Sequence, residues 1–589
     1  MRERANVSDR HSRLLAFPPT FGLRRIPRPP HPLAPGLGPP FLIHMSRRTL
    51  LVIAAAALLA HRPTGPLAAQ DHGSIVIVSG QFPSQPVPTL TRGTADNDIA
   101  DLLFLRLARL GPTLVTAGDR GFVPQLARSW TRRDSLTLVF ELDPRARWHD
   151  GAPVTARDVT WSFTRAKDPG LAPAHATTLR WVREITADGD GRVIVRFAKR
   201  YPTQFFDVTW QLPILPAHLL DTIPPGSLSS SDFARAPIGT GQFRFVRSVP
   251  GQFIELAAVP GHFLGTAKLD RVIYRAAADG DARINLMLSG EGDGLEQLAL
   301  RSQQERFIGN AEFRLIPVPS FQIGYALFNE RDPADRSLPH PILSDSLVRR
   351  ALVLALDRTT IVASLFGDVA SVPEGPASMS LWARTGVAPF AHGDSARAAA
   401  LFAAAGWIDH DGDGVGDKDG HPLHFTLIIP TTSASRRLTA QLVQEQWRHF
   451  GVQVEIAPLE FPAYIQRRND RNFDIDLTVT TQDPNPAGLM QGWSCGGGTN
   501  IASYCDPAVD SLLTRAEAAS DGGRELWQAA LRRIDSDAPA AFLFAPANVV
   551  AVHRRFDGVV LRSEGLWSGL AAWRVIPGQQ LPRDGTGAP

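Results

Sequence analysis

Short stretches in which apolar and polar residues alternate recur along the chain, and they predict β-strands. The clearest lie at residues 136–142, 192–197, 452–456 and 475–481, and a continuous apolar run at 74–78 also predicts a strand. Alternation with a period of two turns one face of a strand towards a core, whereas a continuous apolar run such as 74–78 is typical of a strand buried on both faces. Strands are thus predicted along most of the chain.

Apolar residues spaced three or four positions apart predict helices between these strands. Helices are expected from Thr155, at 348–366, at 395–405 and at 435–450. Asp158 stands three residues after Thr155, in the capping-box position. The last helix is followed by one glycine and then a strand, and such a short connection is typical of an α/β unit. A mixed α/β chain of this length is expected to form at least two lobes.

The N-terminal segment differs in composition from the rest. Residues 1–44 are rich in proline and arginine without periodicity, which indicates a disordered leader or an over-extended start. Residues 45–69 follow the pattern of a cleaved signal peptide, with Arg47 and Arg48 before an apolar run too short to span a bilayer. The paired arginines fit a twin-arginine signal as well as a general secretory one, and both stay open. The expected location is periplasmic or extracellular.

The charge of the chain depends on this leader. The sequence pI of about 9.0 suggests a basic protein. However, residues 1–69 hold ten arginines and two acidic side chains, which leaves 51 basic against 56 acidic side chains, a net charge of −5. Nucleic-acid binding needs a basic face. A nucleic-acid partner is therefore not expected.

Two cysteines, Cys495 and Cys505, stand close together in the sequence. In an exported protein such a pair favours a disulfide. A zinc site would need four ligands, and no histidine is nearby to complete one.

Signatures of catalysis are missing from the sequence. It contains no G-x-S-x-G elbow, no H-E-x-x-H helix, no Walker A loop and no G-x-G-x-x-G after a strand. An exported hydrolase would need a nucleophile and a base that converge, and no such pair is evident. We therefore expect neither an enzyme nor a cofactor.

Asp409, Asp411 and Asp413 form a D-x-D-G-D-G run that resembles the start of a calcium loop. The twelfth position is Gly420 instead of a bidentate glutamate, and the run joins a helix to a strand. An exposed Asp/Gly-rich turn is the favoured interpretation, with a bound cation as the weaker alternative.

Seven unremarkable segments occur in a fixed order, and they carry the most informative pattern. They are residues 123–130, 147–159, 237–243, 261–274, 289–293, 349–358 and 404–414. In this order the chain resembles extracellular solute-binding protein family 5, the dipeptide, oligopeptide and nickel receptors of ABC importers, over about residues 74–560.

Local physical roles explain several of these segments. Gly151 provides conformational freedom in a turn, and Gly239 and Gly241 suit a tight chain crossing. Asp357 and Arg358 are expected to end a helix and to pair with each other. These are scaffold roles, not ligand contacts.

The resemblance implies an α/β fold of the periplasmic-binding-protein type. The implied form is type II, of the large class that has an extra subdomain. Its two lobes are joined by a hinge of two crossing strands and close over the ligand. The implied hinge lies near 327–329 and 544–546. The implied domains are lobe I at 74–97, 241–330 and 546–577, its inserted subdomain at 98–240, and lobe II at 331–545.

The same resemblance suggests ligand-contacting residues. They are Arg92, Gly93, Thr94, Tyr325, Trp382, Arg384, Thr480, Thr481, Gln482, Asp483 and Trp493. The implied partners are a peptide or other small polar solute and, at the membrane, an ABC permease with its ATPase; a monomer is expected.

One position departs from the family pattern. Peptide receptors of this family anchor the peptide ammonium with an aspartate three residues before an Asp-Pro or Glu-Pro pair, and that position here is Thr480. Asp483 is the alternative anchor. An opine, a sugar or a metal chelate therefore stays open as ligand beside a peptide, and an exported chaperone-like binding protein is the alternative function.

Overall fold

The computed structural model describes residues 73–91, 93–168, 179–384, 388 and 390–585, and these fall within one compact unit. The expected leader at 1–44 and signal peptide at 45–69 lie outside the described residues. In the part of the chain that the structure describes, no helix combines the length and apolarity needed to cross a bilayer.

The strands alternate with helices along the chain. The strands are β1 Ser74–Ser79, β2 Ala108–Leu110, β3 Phe122–Pro124, β4 Ala127–Asp134, β5 Thr137–Leu142, β6 Val182–Asp188, β7 Arg192–Phe197, β8 Phe243–Val249, β9 Phe253–Ala258, β10 Arg271–Ala276, β11 Gly294–Leu295, β12 Phe313–Pro319, β13 Gln322–Phe328, β14 Ala370–Ser371, β15 Asp417–Lys418, β16 His421–Pro422, β17 His424–Pro430, β18 Gln453–Leu459, β19 Ile475–Thr481, β20 Ala540–His553, β21 Phe556–Asp557 and β22 Arg574–Val575. The α-helices are α1 Thr94–Leu103, α2 Ala156–Ala166, α3 Gln204–Thr209, α4 Ala217–Leu220, α5 Asp232–Arg235, α6 Gly280–Leu288, α7 Arg301–Glu305, α8 Ser346–Leu354, α9 Arg358–Phe366, α10 Ser395–Ala404, α11 Ala434–Arg448, α12 Phe461–Asn469, α13 Leu489–Trp493, α14 Pro507–Ala518 and α15 Arg524–Asp537.

Two lobes share one mixed sheet of the order β18-β17-β19-β13-β20-β11-β1-β10-β9-β8. We call the part built on β1 and β8–β12 lobe I and the part built on β13 and β17–β19 lobe II. A separate four-stranded antiparallel sheet, β4-β5-β7-β6, belongs to the core cluster of lobe I. The fold is thus the two-lobed α/β architecture that the sequence predicts.

The strand β20 runs through both lobes. Its residues 540–544 pair with β13 of lobe II, and its residues 547–553 pair with β12 of lobe I. The Ser320 hydroxyl, between β12 and β13, donates to the Pro546 carbonyl at 2.5 Å, so the two chain crossings touch. The crossing expected at 544–546 is therefore found there. The other lies at Ser320 and Phe321 instead of 327–329, because β13 pairs with β19 along its whole length.

Alternation along β13 and β19 separates two cores of lobe II. Ala326, Phe328, Ile475 and Leu477 face one core cluster, whereas Ile323, Tyr325 and Leu327 face another. Successive side chains of a strand point to opposite faces of the sheet. The polar Thr478 and Thr480 lie opposite Tyr325 and Ile323 in the register of this pair.

Two glycines allow the close approach of chain segments that was predicted near residue 240. A Cβ added to Gly239 would lie 1.9 Å from the Leu103 carbonyl oxygen, and one added to Gly241 would lie 2.0 Å from that of Leu102. Neither distance is tolerable for a side chain, so both positions require glycine. The turn at Gly151 has φ +93°, which also confirms its predicted role.

Helix boundaries confirm one expectation and correct another. The Asp158 carboxylate accepts from the Thr155 backbone N–H at 2.8 Å, as predicted for the start of α2. The helix expected at 348–366 is two helices, α8 and α9. Asp357 does not end a helix but caps the start of α9, because its carboxylate accepts from the Thr360 backbone N–H at 3.0 Å. Arg358 donates to the buried Phe542 carbonyl.

A buried ionic network holds the first described strand. Arg555, whose side chain is 1% exposed, donates to Asp293 at 2.8 Å and to Asp584 at 2.6 Å. Asp584 in turn accepts from the backbone N–H of Ser74 at 2.8 Å. The start of β1 is therefore bonded to a residue 510 positions further along the sequence.

Candidate ligand-binding site

A cavity of about 340 Å³ lies on lobe II, beside the ends of β13 and β19. We call it the cleft cavity. Its wall is formed by Tyr325, Leu327, Leu381, Arg468, Thr480, Thr481, Gln482, Asp483, Asn485, Gly488, Leu489, Gly492, Trp493, Thr499, Ile501 and Ala502. Sites for small molecules span roughly 300–1,000 Å³, so this volume suits a small solute.

Aromatic side chains form the apolar part of the wall. The Tyr325 ring lies 5.7 Å from that of Trp493 and 5.8 Å from that of Phe542, centroid to centroid. Burial raises the pKa of the Tyr325 hydroxyl, which therefore stays a neutral hydrogen-bonding group. An aromatic wall with one polar handle suits a ligand that carries both apolar and polar groups.

Asp483 places a carboxylate in the wall and connects the two lobes. Its Oδ1 accepts from the Asn485 backbone N–H at 2.7 Å, and its Oδ2 accepts from Gln211 Nε2 of lobe I, also at 2.7 Å. Burial raises the pKa of Asp483. A carboxylate offers about four acceptor positions, so Asp483 retains capacity for a further donor.

Other contacts join the lobes near the same cavity. Trp382 Nε1 donates to Thr116 Oγ1 at 3.1 Å, and Arg180 forms an ion pair with Glu517 at 3.2 Å. Asp207, in α3 and four residues before Gln211, is buried, and burial raises its pKa to about 8, with the charge of Asp483 adding to the effect. The carboxyl group of Asp483 is therefore close enough to act on that of Asp207.

Arg468 brings a positive charge to the wall. Its Nε donates to Asp476 Oδ2 at 2.8 Å, and the hydroxyl of Tyr464 donates to Asp476 Oδ1 at 2.7 Å. Although burial favours loss of its proton, Asp476 keeps the pKa of Arg468 above its ordinary value. The arginine is thus held as a cation by a fully buried carboxylate.

The structure brings together six of the residues suggested by the sequence. Tyr325, Thr480, Thr481, Gln482, Asp483 and Trp493 all line the cleft cavity. The amide of Gln482 is already engaged, because it accepts from Ser378 N at 2.7 Å and donates to the Pro376 carbonyl at 2.6 Å. Its side chain holds the wall in place.

The other suggested residues lie outside this wall. Gly93 and Thr94 start α1, Trp382 contacts Thr116, and Arg384 accepts from Gln528 through its carbonyl. Arg92 lies outside the described residues. A second cavity of about 150 Å³, lined by Thr91, Asn97, Arg106, Trp210 and Gln211 among others, lies on lobe I.

Sequence reasoning missed several wall residues. These are Arg468, Asn485, Leu489, Thr499 and Ile501. Thr499 and Ile501 lie within the loop that the Cys495–Cys505 disulfide closes. The cysteine pair was therefore a usable signal for this part of the wall, whereas nothing local marks Arg468.

The aspartate run forms an exposed turn. One carboxylate oxygen each from Asp409, Asp411 and Asp413 lies within 4.8 Å of the others. Asp409 accepts from the backbone of Gly412 and Gly414, at 2.7 and 3.0 Å. These bonds are those of an Asx-type turn, which agrees with the favoured interpretation.

Comparison with known proteins agrees with the fold. The oligopeptide-binding protein AppA of Bacillus subtilis is 26% identical over 500 residues, covering 83% of this chain and 89% of AppA. The structure of AppA in complex with a nonapeptide has a TM-score of 0.71 at 23% identity, over 86% of this chain and 99% of that one. NikZ from Campylobacter jejuni, in complex with Ni(L-His), has a TM-score of 0.72 at 22% identity over 86% and 99%.

A family model covers most of the described chain. The description "Bacterial extracellular solute-binding proteins, family 5 Middle" matches residues 121–500, which include the whole wall of the cleft cavity except its last two members. The match and the two-lobed fold agree with each other. The chain belongs to the bacterial extracellular solute-binding proteins of family 5.

Proposed function

We propose that this protein captures a short peptide in the cleft cavity and delivers it to the permease of an ABC importer, whose ATPase drives uptake. One observation carries the proposal: a half-buried carboxyl group, Asp483, stands in the cavity wall, where it accepts a bond from Gln211 of lobe I. A peptide ammonium beside it provides the opposite charge that favours its ionised form. Asp483 then takes the anchoring role, and Thr480 remains a neutral wall residue.

Cavity size and relatives support a peptide of few residues. A volume of about 340 Å³ is near the lower end of the range for small-molecule sites. AppA of Bacillus subtilis is named as an oligopeptide-binding protein and its structure holds a nonapeptide. A cavity of this volume favours di- to tetrapeptides as the ligand class.

The remaining expectations belong to the same proposal. A periplasmic or extracellular protein exported by a cleaved signal peptide, acting as a monomer and without catalysis, fits a capture-and-handover role. We also propose the domain limits 74–97, 241–330 and 546–577 for lobe I, 98–240 for its subdomain and 331–545 for lobe II. The core clusters support the separation of lobe II from most of lobe I, although residues 323–328 pack in the clusters of lobe II, which favours a limit before β13. Residues 98–240 share one cluster with the rest of lobe I.

A ligand screen tests the proposal. Thermal unfolding of the exported protein is measured with di-, tri- and tetrapeptides, with nickel–histidine and with simple sugars. We expect stabilisation by peptides, by about 2.7 kcal/mol at a hundredfold excess over Kd. We expect Asp483→Asn to weaken peptide binding by tenfold or more, whereas Asp409→Asn in the exposed turn leaves it unchanged.

Recovery of the ligand distinguishes capture from catalysis. Mass spectrometry after incubation should return the peptide intact. Stabilisation by nickel–histidine or a sugar but by no peptide would reject the peptide class, and cleaved peptide would reject the binding role.

A further inference from the structure

A further cavity, of about 280 Å³, lies on lobe II and shares no wall residue with the cleft cavity. We call it the arginine cavity, because its wall includes Arg350, Arg358, Arg397 and Arg532. Among the described residues of this wall, Asp535 is the only acidic one, so four cations against one carboxylate leave an excess of three positive charges. The part of the chain after residue 69 has a net charge of −5. Positive charge is therefore concentrated at this cavity.

The single carboxylate of the wall already interacts with the buried arginine. Arg358 is 1% exposed and donates from Nη1 to the Phe542 carbonyl at 3.1 Å. Burial lowers the pKa of Arg358, and the charge of Asp535 opposes this shift. Asp535 also accepts from the Gly375 backbone N–H at 3.2 Å. Asp535 thus compensates Arg358 and leaves the charges of the other three arginines.

These three arginines are exposed and have N–H groups available. We call Arg350, Arg397 and Arg532 the rim arginines. The Nε of Arg350 donates to the Ser536 carbonyl at 2.9 Å. The side chains of Arg397 and Arg532 form no hydrogen bond or ion pair with any residue that the structure describes. Because a guanidinium group carries five N–H donors, the rim arginines can bind a ligand without giving up bonds to the protein.

Acidic residues beside the rim arginines are engaged in bonds of their own. Asp394 caps α10 by accepting from the Arg397 backbone N–H at 3.0 Å. Asp537 lies 3.8 Å from Arg350 Nη2, but it also accepts from the Tyr504 hydroxyl at 2.8 Å. These carboxylates therefore offset the excess of positive charge only in part.

An apolar surface lies beside the rim arginines. Val353, Leu354 and Leu401 line the cavity and pack with one core cluster of lobe II. The guanidinium of Arg397 lies 5.3 Å from the centroid of the Phe390 ring, which is also part of the wall. Phe390 has φ +54°, a left-handed conformation that large side chains rarely adopt. The wall thus combines cations with an apolar surface that includes an aromatic ring.

We infer that the arginine cavity is a separate binding site for a small organic phosphate, whose phosphate group meets the rim arginines and whose apolar body contacts Phe390 and Leu401. Guanidinium groups bind phosphate through pairs of charge-assisted hydrogen bonds. A phosphate monoester carries a charge of about −1.5 to −2 at pH 7, which matches the excess of positive charge better than a single carboxylate does. The volume of the cavity is close to the lower end of the range for small-molecule sites. The inference goes beyond the proposed function, because it concerns a different cavity.

Phenyl phosphate is the probe for this site, because it joins a doubly charged group to an apolar ring. Its affinity is measured by calorimetry at about 0.15 M salt, beside inorganic phosphate, benzoate and phenol. We expect phenyl phosphate to bind at least tenfold more tightly than each of the other three, since each of them lacks the ring or the double charge. No binding of phenyl phosphate at millimolar concentration, or binding no tighter than that of benzoate, would overturn the inference.

A double variant assigns the binding to the rim arginines. Arg397→Gln combined with Arg532→Gln removes two exposed cations that make no hydrogen bond or ion pair within the described chain, so the variant should fold. We expect it to bind phenyl phosphate at least tenfold more weakly than wild type. Arg437→Gln combined with Arg515→Gln is the matched control, because it removes the same charge from exposed positions outside both cavities. An equal loss of affinity in the two double variants would contradict the inference, since the effect would then follow net charge alone.

Peptide binding keeps this inference separate from the proposed function. The rim double variant should bind the best peptide with wild-type affinity, because neither residue lines the cleft cavity. If no peptide binds and phenyl phosphate does, the phosphate site stands and the peptide proposal fails.

Anionic vesicles distinguish a soluble phosphate from a membrane surface. Sedimentation with vesicles of phosphatidylglycerol and phosphatidylcholine is measured for wild type and for the rim double variant. We expect equal sedimentation of the two proteins, because a cavity of this size encloses a small molecule. Sedimentation that only the wild type shows, without binding of phenyl phosphate, would assign the rim arginines to a membrane surface and reject the inference.

Discussion

Two carboxyl groups near the lobe contact, Asp207 and Asp483, are expected to respond to pH. Both have raised pKa values because burial disfavours their charged forms. Gln211 donates to Asp483 at 2.7 Å. A contact of this composition is favoured when at least one carboxyl group holds its proton.

We expect Asp207→Asn to make the protein more stable at high pH. An aspartate with an ordinary pKa near 3.8 in the unfolded chain and about 8 in the folded protein binds more protons when folded, so stability falls as pH rises from about 4 to 8. Asparagine keeps the shape without the charge. Urea unfolding should show a gain of at least about 1 kcal/mol at pH 8 that shrinks towards pH 4.

Asp411→Asn, in the exposed turn, is the control for this substitution and should leave the pH profile unaltered. A variant that is less stable than wild type at pH 8 would show that Asp207 is ionised and paired in the folded protein.

At the scale of elements, the loop closed by Cys495 and Cys505 builds part of the ligand wall. The helix α13 ends at Trp493, and Thr499, Ile501 and Ala502 follow within or beside the closed loop. Asn500 ties the loop internally, donating to the Ser494 and Tyr504 carbonyls at 2.9 and 2.6 Å. The disulfide thus closes a loop that forms part of the cleft cavity wall.

We expect Cys495→Ala combined with Cys505→Ala to lower both stability and ligand affinity. Opening a loop of this length, with the cysteines 10 positions apart, costs about 2.5–3 kcal/mol on the chain-entropy model. Chemical unfolding measures the first effect, and calorimetry with the peptide that binds best measures the second. Unchanged affinity in the double variant would mean that the wall keeps its shape without the covalent link.

Elements also show what the sequence predicts well. The period-two pattern at 475–481 predicts β19 with its observed limits, because adjacent residues of a strand lie on opposite faces of the sheet. The division between α8 and α9 escapes the same reasoning, since the apolar spacing continues across Leu356 and only Asp357 marks the new start. Local patterns thus identify elements better than their boundaries.

At the scale of the whole molecule, the lobes are joined by the shared strand β20 and by side chains across the cleft. Gln211 to Asp483 and Trp382 to Thr116 are contacts between residues far apart in sequence. No local pattern identifies Gln211 or Arg468, because each acquires its role only when another part of the chain folds against it. Family resemblance supplied the lobes and six of the sixteen wall residues, and the remaining wall required coordinates.

We expect Gln211→Ala to shift the ligand-free protein towards an open arrangement. The variant removes a hydrogen-bond donor from Asp483, so the carboxyl group then gains free energy from hydrogen bonds with water. Small-angle X-ray scattering should give a larger radius of gyration than for wild type, and a saturating peptide should reduce the difference.

Gln211→Glu provides the matched comparison, because it sets a carboxylate against Asp483 and should open the lobes further at pH 8 than at pH 5. Identical scattering curves for all three proteins would show that this hydrogen bond does not hold the lobes together.

The bond from Ser74 to Asp584 has a consequence for biosynthesis. A ribosome delivers these residues 510 positions apart, so at 5–20 residues per second roughly 25–100 s separate their appearance. During that interval the opening strand lacks its carboxylate partner, and Arg555 has yet to be made. The N-terminal half of the nascent polypeptide therefore lacks this ionic network until the last part of the chain has been made.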